Sequence, residues 1–218
     1  MISYGKRLSR DFYQRDTVTV ANDLLGKLLV RVQEGVPLVA EITETEAYTG
    51  IADKACHSYN GRKTERTRIM YGPGGFAYVY LIYGMHCLFN VVTEGEGNPC
   101  AVLIRKCEPV DGLNQISQNR YKVKYSALGN RRVRGLLDGP GKICKGLGIT
   151  RKDNGECLYG SRIFIAEPLI AKTFDIGSGK RINIDYAEEA ADWPYRFFIP
   201  KDGEEKQEEQ AQNDISDA

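Results

Sequence analysis

The fold is decided by the stretch FAYVYLIYGMHCLFNVV at residues 76–92, which is apolar and rich in aromatic and β-branched side chains. No charged residue occurs between Arg68 and Glu94. The stretch is shorter than the roughly 20 residues that a membrane-spanning helix needs, and Gly84 interrupts it. Such residues on both sides of a turn are typical of two paired strands. We therefore predict a buried β-hairpin that turns at residues 83–86.

Shorter patterns on both sides of the hairpin predict the remaining elements. Asp16 is a suitable N-cap for a helix over 17–25, and Pro140 would open another helix that ends at Gly148. Apolar runs predict a helix at 113–119 and further strands at 27–33, 38–46, 100–106, 162–166 and 196–199. Short turns rather than crossover helices join most of these strands. The predicted fold class is α+β: a single mixed domain with a mainly antiparallel curved sheet, peripheral helices and a protruding β-hairpin.

The 218 residues carry a formal charge of only +1, but that charge is unevenly distributed. Residues 201–218 hold seven acidic and two basic residues, which leaves 28 basic and 22 acidic residues over 1–200. The final segment is also rich in Gln and poor in large apolar residues, a composition typical of disorder. We predict a folded domain over 1–200 and an acidic disordered tail over 201–218. The positive charge of the domain is compatible with a polyanionic partner.

Cysteine and histidine usage argues against a structural metal site. The six cysteines include no C-x-x-C pair, and the chain has only two histidines. The N-terminal residues lack the apolar core of a signal peptide. We predict a cytoplasmic protein with reduced thiols.

Two carboxylates end the strand predicted from LVAEITETEAY at 38–48. Strict alternation would place Leu38, Ala40, Ile42, Glu44 and Glu46 on one face, which begins apolar and ends acidic. A carboxylate at the edge of an apolar face can be desolvated and so become basic enough to activate water. The same pattern also fits an exposed strand end or structural salt bridges.

Aromatic residues form a second candidate group. Phe76, Tyr78 and Tyr80 would line one face of a hairpin strand, while Tyr48 and His57 lie shortly before it in the sequence. These rings could enclose a planar ligand such as a nucleobase. They could equally be half-buried packing residues.

The tip of the predicted hairpin carries two large apolar residues, Tyr83 and Met85. Proteins that bend DNA insert such residues between base steps, although the tip could instead fold back on the core. Basic residues cluster twice, in the loop before the hairpin, which holds Arg62, Arg66 and Arg68, and at 120–134. Lys142 ends a turn at 139–142 that could present helix N–H groups to a phosphate. These residues could contact phosphates or simply form a solvated surface.

Four motifs together resemble the alkyladenine (3-methyladenine) DNA glycosylases of mammals and bacteria. They are ETEAY at 44–48, HS at 57–58, R-x-R-x-M-Y-G-P-G at 66–74 and YVYLIYGMHCLFNV at 78–91. The resemblance extends in order over nearly all of residues 8–200. It implies a monofunctional hydrolase that flips a damaged purine out of duplex DNA and cleaves its N-glycosidic bond, without a metal or organic cofactor.

The resemblance also implies roles for individual residues. Glu46 matches the general base that activates water, and Arg105 matches a residue that holds the water and the DNA backbone. Tyr83 matches the residue that fills the gap left by the flipped nucleotide. The positions that match the pocket of the flipped base are Tyr48, His57, Tyr80, Asn90 and Ile184.

Two other functions remain open at this stage. A non-catalytic protein that binds damaged DNA would keep the pocket but would not need Glu46. A sugar hydrolase could use Glu44 and Glu46, but two carboxylates on one strand are poorly placed to approach a glycosidic bond from opposite sides. The expected partner is double-stranded DNA containing damaged purines. The expected protein is a monomer without an obligate protein partner, associated with the nucleoid if it is bacterial.

Overall fold

The structure is a computed structural model that describes residues 4–200. The acidic tail predicted over 201–218 lies outside the described residues. Five α-helices are present in the described range: α1 (Arg10–Tyr13), α2 (Thr17–Asp23), α3 (Leu113–Tyr121), α4 (Asn130–Arg134) and α5 (Pro140–Leu147). The predicted cap of α2 is confirmed, because the Asp16 side chain accepts a hydrogen bond from the Thr19 backbone N–H at 2.8 Å. None of the described helices is long and apolar enough to cross a membrane.

One sheet of eight strands forms the centre of the described chain. The strands are β1 (Leu28–Gln33), β2 (Val36–Tyr48), β3 (Ala77–Ile82), β4 (His86–Thr93), β5 (Cys100–Asp111), β6 (Ile163–Ala166), β7 (Gly177–Gly179) and β8 (Arg196–Phe198). Their order is β3-β4-β5-β2-β1-β6, with β8 pairing both β2 and β7. Each of these pairings is antiparallel. The predicted α+β class with a mainly antiparallel sheet is confirmed.

The predicted hairpin is formed by β3 and β4, which pair from Ala77↔Val91 to Ile82↔His86. Its tip is a turn in which the Met85 N–H donates to the Ile82 carbonyl at 3.3 Å. Tyr83 and Gly84 have φ angles of 52° and 71°, and positive φ at both central residues defines a type I′ turn. The hairpin therefore protrudes with the Tyr83 side chain 84% exposed.

One face of the sheet packs in the hydrophobic core, and the other lines a cavity. Alternate residues on β3, β4 and β5 pack with helices α2, α3 and α5 in the main hydrophobic core; they include Val79, Phe89, Val91, Val102 and Ile104. The residues between them point to the opposite face, where they line a cavity: Tyr78, Tyr80, Leu88, Asn90, Leu103 and Arg105. The core thus fixes the backbone from which the cavity side chains project.

A β-bulge in β2 overturns the predicted alternation of that strand. The pairing of β2 with β5 shifts register between Ile42 and Glu44 and again between Glu44 and Thr45. Ile42 and Ala47 both lie in the main core although they are five positions apart, an odd number that would place them on opposite faces of a regular strand. The Thr45 hydroxyl also donates to the Ala21 carbonyl of α2. Glu46 therefore points away from the face of Ile42. The prediction that Glu44 and Glu46 share the face of Leu38, Ala40 and Ile42 was wrong, because an inserted residue reverses which face the later positions occupy.

The bulge also marks a change of neighbour along one edge of β2. Residues 36–41 pair with β1, whereas Glu44, Thr45 and Glu46 pair with β8. The chain after β7 can therefore reach the end of β2 that carries Glu46.

Candidate active site

A cavity of about 670 Å³ opens on the face of the sheet opposite the core. The floor consists of the side chains from β3, β4 and β5 described above. Three other segments complete the walls: 55–57 after β2, 139–142 at the start of α5, and 182–184 before β8. The cavity is therefore enclosed by parts of the chain that lie far apart in the sequence.

Glu46 is completely buried behind the wall of this cavity. One carboxylate oxygen accepts from the Tyr48 hydroxyl at 2.8 Å, and the other accepts from the Ile182 backbone N–H at 2.7 Å. The Arg105 guanidinium lies 3.3 Å from the second oxygen. Glu46 itself is not a lining residue, but Tyr48, Ile182 and Arg105 all line the cavity. Its carboxylate therefore lies directly behind residues that form the wall of the cavity.

Burial raises the pKa of Glu46 above its ordinary value, because a charged carboxylate is poorly solvated there. Arg105, the Ile182 N–H and the Tyr48 hydroxyl oppose this effect by stabilising the charged form. A carboxylate with a raised pKa that is held by two hydrogen-bond donors and an arginine is a suitable acceptor for a proton from water.

Arg105 links the two carboxylates near the end of β2, Glu44 and Glu46. It lies beside Glu46 and also donates to Glu44 at 3.2 Å, while Arg196 from β8 lies 3.4 Å from the same Glu44 oxygen. Glu44 is therefore held in a partly buried ion-pair network on the same side as Glu46. Two carboxylates that share one arginine do not face each other across a gap, so the sugar-hydrolase interpretation loses its geometric basis.

Three aromatic residues of the predicted group meet at one end of the cavity. The Tyr78 hydroxyl and His57 Nδ1 are hydrogen-bonded at 2.8 Å, and the rings of His57 and Tyr80 meet edge to face at 4.6 Å. Burial, together with the nearby Arg66 and Arg62, lowers the pKa of His57 to about 4. His57 is therefore neutral at physiological pH and can accept or donate a hydrogen bond.

Phe76 does not join this group. It precedes β3 and packs edge to face against Tyr159, with ring centroids 6.0 Å apart. Phe76, which was predicted to line one face with Tyr78 and Tyr80, is therefore not among the residues that line the cavity.

The other predicted pocket residues also reach the cavity. Asn90 is buried and its amide donates to the Tyr78 carbonyl at 3.1 Å, which fixes the side chain against the floor. Ile184 lies on the opposite wall and is also buried. Tyr83 stands at the rim, whereas Met85 is 72% exposed and lies outside the lining.

The predicted basic residues fall into two groups. Arg66 and Lys142 line the cavity, and the Arg66 guanidinium lies 5.7 Å from the centroid of the Tyr80 ring. Arg62 and Arg68 are exposed and lie away from the lining, and Arg68 pairs with Glu65 at 3.0 Å. Arg66 and Lys142 therefore lie at the cavity, whereas Arg62 and Arg68 lie on the outer surface.

Several residues of the site were missed by sequence reasoning. Arg120 and Lys145 line the cavity from α3 and α5, and Tyr186 lines it from the segment before β8. Arg120 belongs to the basic run at 120–134, which was the only sequence signal for it. Among the residues that the structure describes, no three His, Cys, Asp or Glu side chains are grouped so that they could hold a metal ion.

Comparison with known proteins then identifies the family. The sequence profile of methylpurine-DNA glycosylase (MPG) matches residues 11–203. The chain belongs to the methylpurine-DNA glycosylase family. It is 52% identical over 194 residues to a protein of Desulfitobacterium hafniense (strain Y51) and 50% identical over 193 residues to one of Alkaliphilus oremlandii (strain OhILAs). Both relatives are named "Putative 3-methyladenine DNA glycosylase".

The matches extend over almost the entire length of these glycosylases. They cover 89% and 88% of this chain and 95% of each relative. The predicted resemblance to the family is confirmed. A methylpurine-DNA glycosylase is a hydrolase of N-glycosyl bonds whose substrate is DNA, so the family also accounts for an enclosed aromatic cavity beside a buried carboxylate.

Proposed function

We propose that this protein flips alkylated or deaminated purines out of duplex DNA and hydrolyses their N-glycosidic bonds, which initiates base excision repair. The observation that carries the proposal is the position of Glu46, a buried carboxylate held by two hydrogen-bond donors and the Arg105 guanidinium immediately behind an aromatic cavity. The family membership supports the same chemistry. A flipped base needs an enclosed pocket because it leaves the stack only when new contacts replace those it loses.

Glu46 is the proposed general base. It takes a proton from water while the water oxygen bonds to C1′ of the sugar and the bond between C1′ and the purine nitrogen breaks. The bonding electrons leave with the purine: they neutralise the positive charge of an alkylated base, whereas a neutral base such as hypoxanthine leaves as an anion and takes up a proton from solvent. The transition state resembles an oxocarbenium ion, so the negative charge near C1′ also stabilises it. Arg105, beside Glu46 and in the cavity wall, is placed to hold the water and the DNA backbone.

The base pocket is proposed to lie between the aromatic walls. Tyr48 and Tyr80 offer ring faces for stacking, and such faces favour cationic alkylpurines. His57 and the backbone near Ile184 are placed for polar contacts with the edge of the base. Asn90 is placed to discourage unmodified guanine.

The proposed duplex contacts lie around the rim. Tyr83, on the exposed hairpin tip, fills the space that the flipped nucleotide leaves, and Met85 inserts beside it. Arg66 and Lys142 at the cavity and Arg62 and Arg68 outside it contact phosphates. We infer that the protein works on double-stranded DNA as a monomer, without an obligate protein partner.

Base release from duplex oligonucleotides tests this proposal. The substrates carry hypoxanthine, ethenoadenine or 7-methylguanine, and the wild type is compared with Glu46→Gln. Release by the wild type and a rate for the variant close to the uncatalysed one support both the activity and the base. Tight binding of lesion duplexes without release would instead support the non-catalytic binding protein. The absence of both binding and release would contradict the proposed substrate class.

A further inference from the structure

A buried ion pair lies directly behind the candidate active site. The Arg181 guanidinium donates to both carboxylate oxygens of Asp53, at 2.5 and 2.9 Å. Both side chains are completely enclosed. Neither residue lines the cavity, so neither is placed to touch DNA.

Arg181 connects several separate segments of the chain. It donates to the Ala47 carbonyl in β2 at 2.9 Å and to the Ala190 carbonyl at 3.0 Å. Its partner Asp53 accepts from the Thr49 N–H at 3.0 Å and so closes the turn that follows β2. The pair therefore joins the end of β2, the turn after it and the segment before β8.

Burial of such a pair is costly for folding. Desolvation by itself would lower the pKa of Arg181, but the hydrogen bonds and charge of Asp53 outweigh it, so that the pKa is raised. A buried ion pair often stabilises a protein no more than apolar residues of similar size would. The contribution of the Arg181–Asp53 pair to folding stability therefore does not explain its presence, whereas the positions in which it holds its neighbours do.

The pair acts on both hydrogen-bond donors to Glu46. Ile182, whose N–H donates to Glu46 at 2.7 Å, is the residue next to Arg181. Tyr48, whose hydroxyl donates to the other oxygen, lies with its ring against the Arg181 guanidinium, 4.8 Å from Cζ to centroid. Movement of Arg181 would displace both donors together.

We propose that Arg181 and Asp53 form a positioning unit that holds the Ile182 N–H and the Tyr48 hydroxyl against Glu46, and so keeps that carboxylate ionised and oriented. The inference rests on the proposed role of Glu46 as the general base. Arg181 and Asp53 are positioning residues, because they act through the donors and not on the substrate.

The pH dependence of base release reports on this arrangement. The titratable and charged groups around Glu46 come from the sheet and from the segment before β8. They are Glu44 and Tyr48 in β2, Tyr80 in β3, Arg105 in β5, and Arg181 and Tyr186 before β8. Arg196 in β8 acts on Glu46 only indirectly, because it pairs with Glu44. Loss of the two donors removes stabilisation of the ionised carboxylate, so the acidic limb of the rate profile moves to higher pH.

The experiment compares Arg181→Met, Arg181→Lys and Asp53→Asn with the wild type, all as full-length chains. Single-turnover release of hypoxanthine from duplex DNA is measured from pH 5 to pH 9, together with the affinity for the lesion duplex and the melting temperature. Glu46→Gln is measured in parallel. Asp153→Asn is the matched control, because Asp153 is a buried partner of Arg31 and Arg162 that lies outside the cavity lining.

We expect Arg181→Met to lower the single-turnover rate at pH 7 at least tenfold, equivalent to about 1.4 kcal/mol of transition-state stabilisation. Its acidic limb moves to higher pH, while affinity for the lesion duplex changes less than threefold. Arg181→Lys restores part of the rate, because lysine keeps the charge without the bidentate geometry. Asp153→Asn lowers the melting temperature but leaves the acidic limb in place.

The positioning role would be overturned if the acidic limb of the rate profile stayed in place in both Arg181→Met and Asp53→Asn. In that case their release rates would fall only in proportion to their melting temperatures, as in Asp153→Asn. That result is distinguishable from failure of the proposed function, in which Glu46→Gln would release bases as fast as the wild type.

Discussion

The tip of the β3–β4 hairpin is where stability and the proposed activity conflict most directly. Tyr83 has a φ of 52°, a left-handed conformation that costs most L-residues energy, and Gly84 follows with a φ of 71°. Asn-Gly is the preferred pair for such a type I′ turn because Asn tolerates positive φ. Replacing Tyr83 by Asn should therefore stabilise the fold and remove the proposed wedge at the same time.

The expected gain follows from two opposing terms. Relief of the left-handed strain contributes about 1–1.5 kcal/mol, since asparagine retains a little of the cost. Because the ring is already 84% exposed, its removal loses only about 0.5 kcal/mol of apolar burial. The net gain of about 0.5–1 kcal/mol should raise the melting temperature by roughly 1–4 °C in a chain of this size.

The activity should change in the opposite direction. Flipping a nucleotide costs a few kcal/mol, and a side chain that occupies the vacated space recovers part of that cost. Tyr83→Asn should therefore release hypoxanthine from duplex DNA about tenfold more slowly. Release from a single strand, which has no gap to fill, should change much less.

Calorimetric melting and single-turnover release on the two DNA forms measure these effects. Met85→Asn is the stability control, because Met85 is also exposed on the tip but is absent from the residues with positive φ; its melting temperature should stay within about 1 °C of the wild type. A lower melting temperature for Tyr83→Asn would refute the strain argument. Equal losses of the release rate on duplex and single-stranded DNA would refute the role of Tyr83 as a wedge.

Three further predictions concern charge. Glu46→Gln should melt at a higher temperature than the wild type at pH 7: the raised pKa of Glu46 means that the native state holds its proton more tightly, so the wild type loses stability as pH rises from 4.5. The difference should vanish at pH 4, and a lower melting temperature for the variant at pH 7 would contradict the reasoning. His57, with its pKa lowered to about 4, should remain neutral by NMR at pH 5.5, and a charged imidazole there would show that Arg66 and burial do not act as inferred. Duplex affinity should fall steeply with salt, and Arg68→Gln should reduce the slope of log K against log salt by about 0.9 if Arg68 contacts a phosphate; an unchanged slope removes it from the interface.

Local patterns were sufficient to predict most elements of the sheet. The hairpin at 76–92 was predictable because aromatic and β-branched residues flank a single glycine, and α2 because Asp16 supplies its cap. Strand ends were less accurate: β5 continues to Asp111 and β2 to Tyr48. These extensions depend on pairing with distant strands, which no local window contains.

The orientation of Glu46 illustrates what local patterns miss. A two-residue period correctly places Leu38, Ala40 and Ile42 in the core, but the bulge reverses the faces before Glu46 is reached. Bulges depend on the partner strand, and nothing in ITETEAY at 42–48 distinguishes a regular strand from a bulged one. The resemblance to the glycosylase family identified Glu46 by its position in the motif, which does not depend on the face of the sheet that its side chain occupies.

The position of Glu46 on a strand beside a bulge also explains how its charge can be tolerated. The backbone around it is fixed because Thr45 and Ala47 on either side are anchored in the core, so the carboxylate cannot turn toward solvent. Ionisation in that place depends on two hydrogen-bond donors, from β2 itself and from the segment before β8, and on the Arg105 guanidinium of β5. A carboxylate whose donors lie more than a hundred residues apart has this environment only in the folded chain. The basicity of Glu46 is therefore a property of the tertiary structure, and changes to residues that contact neither DNA nor water should alter it.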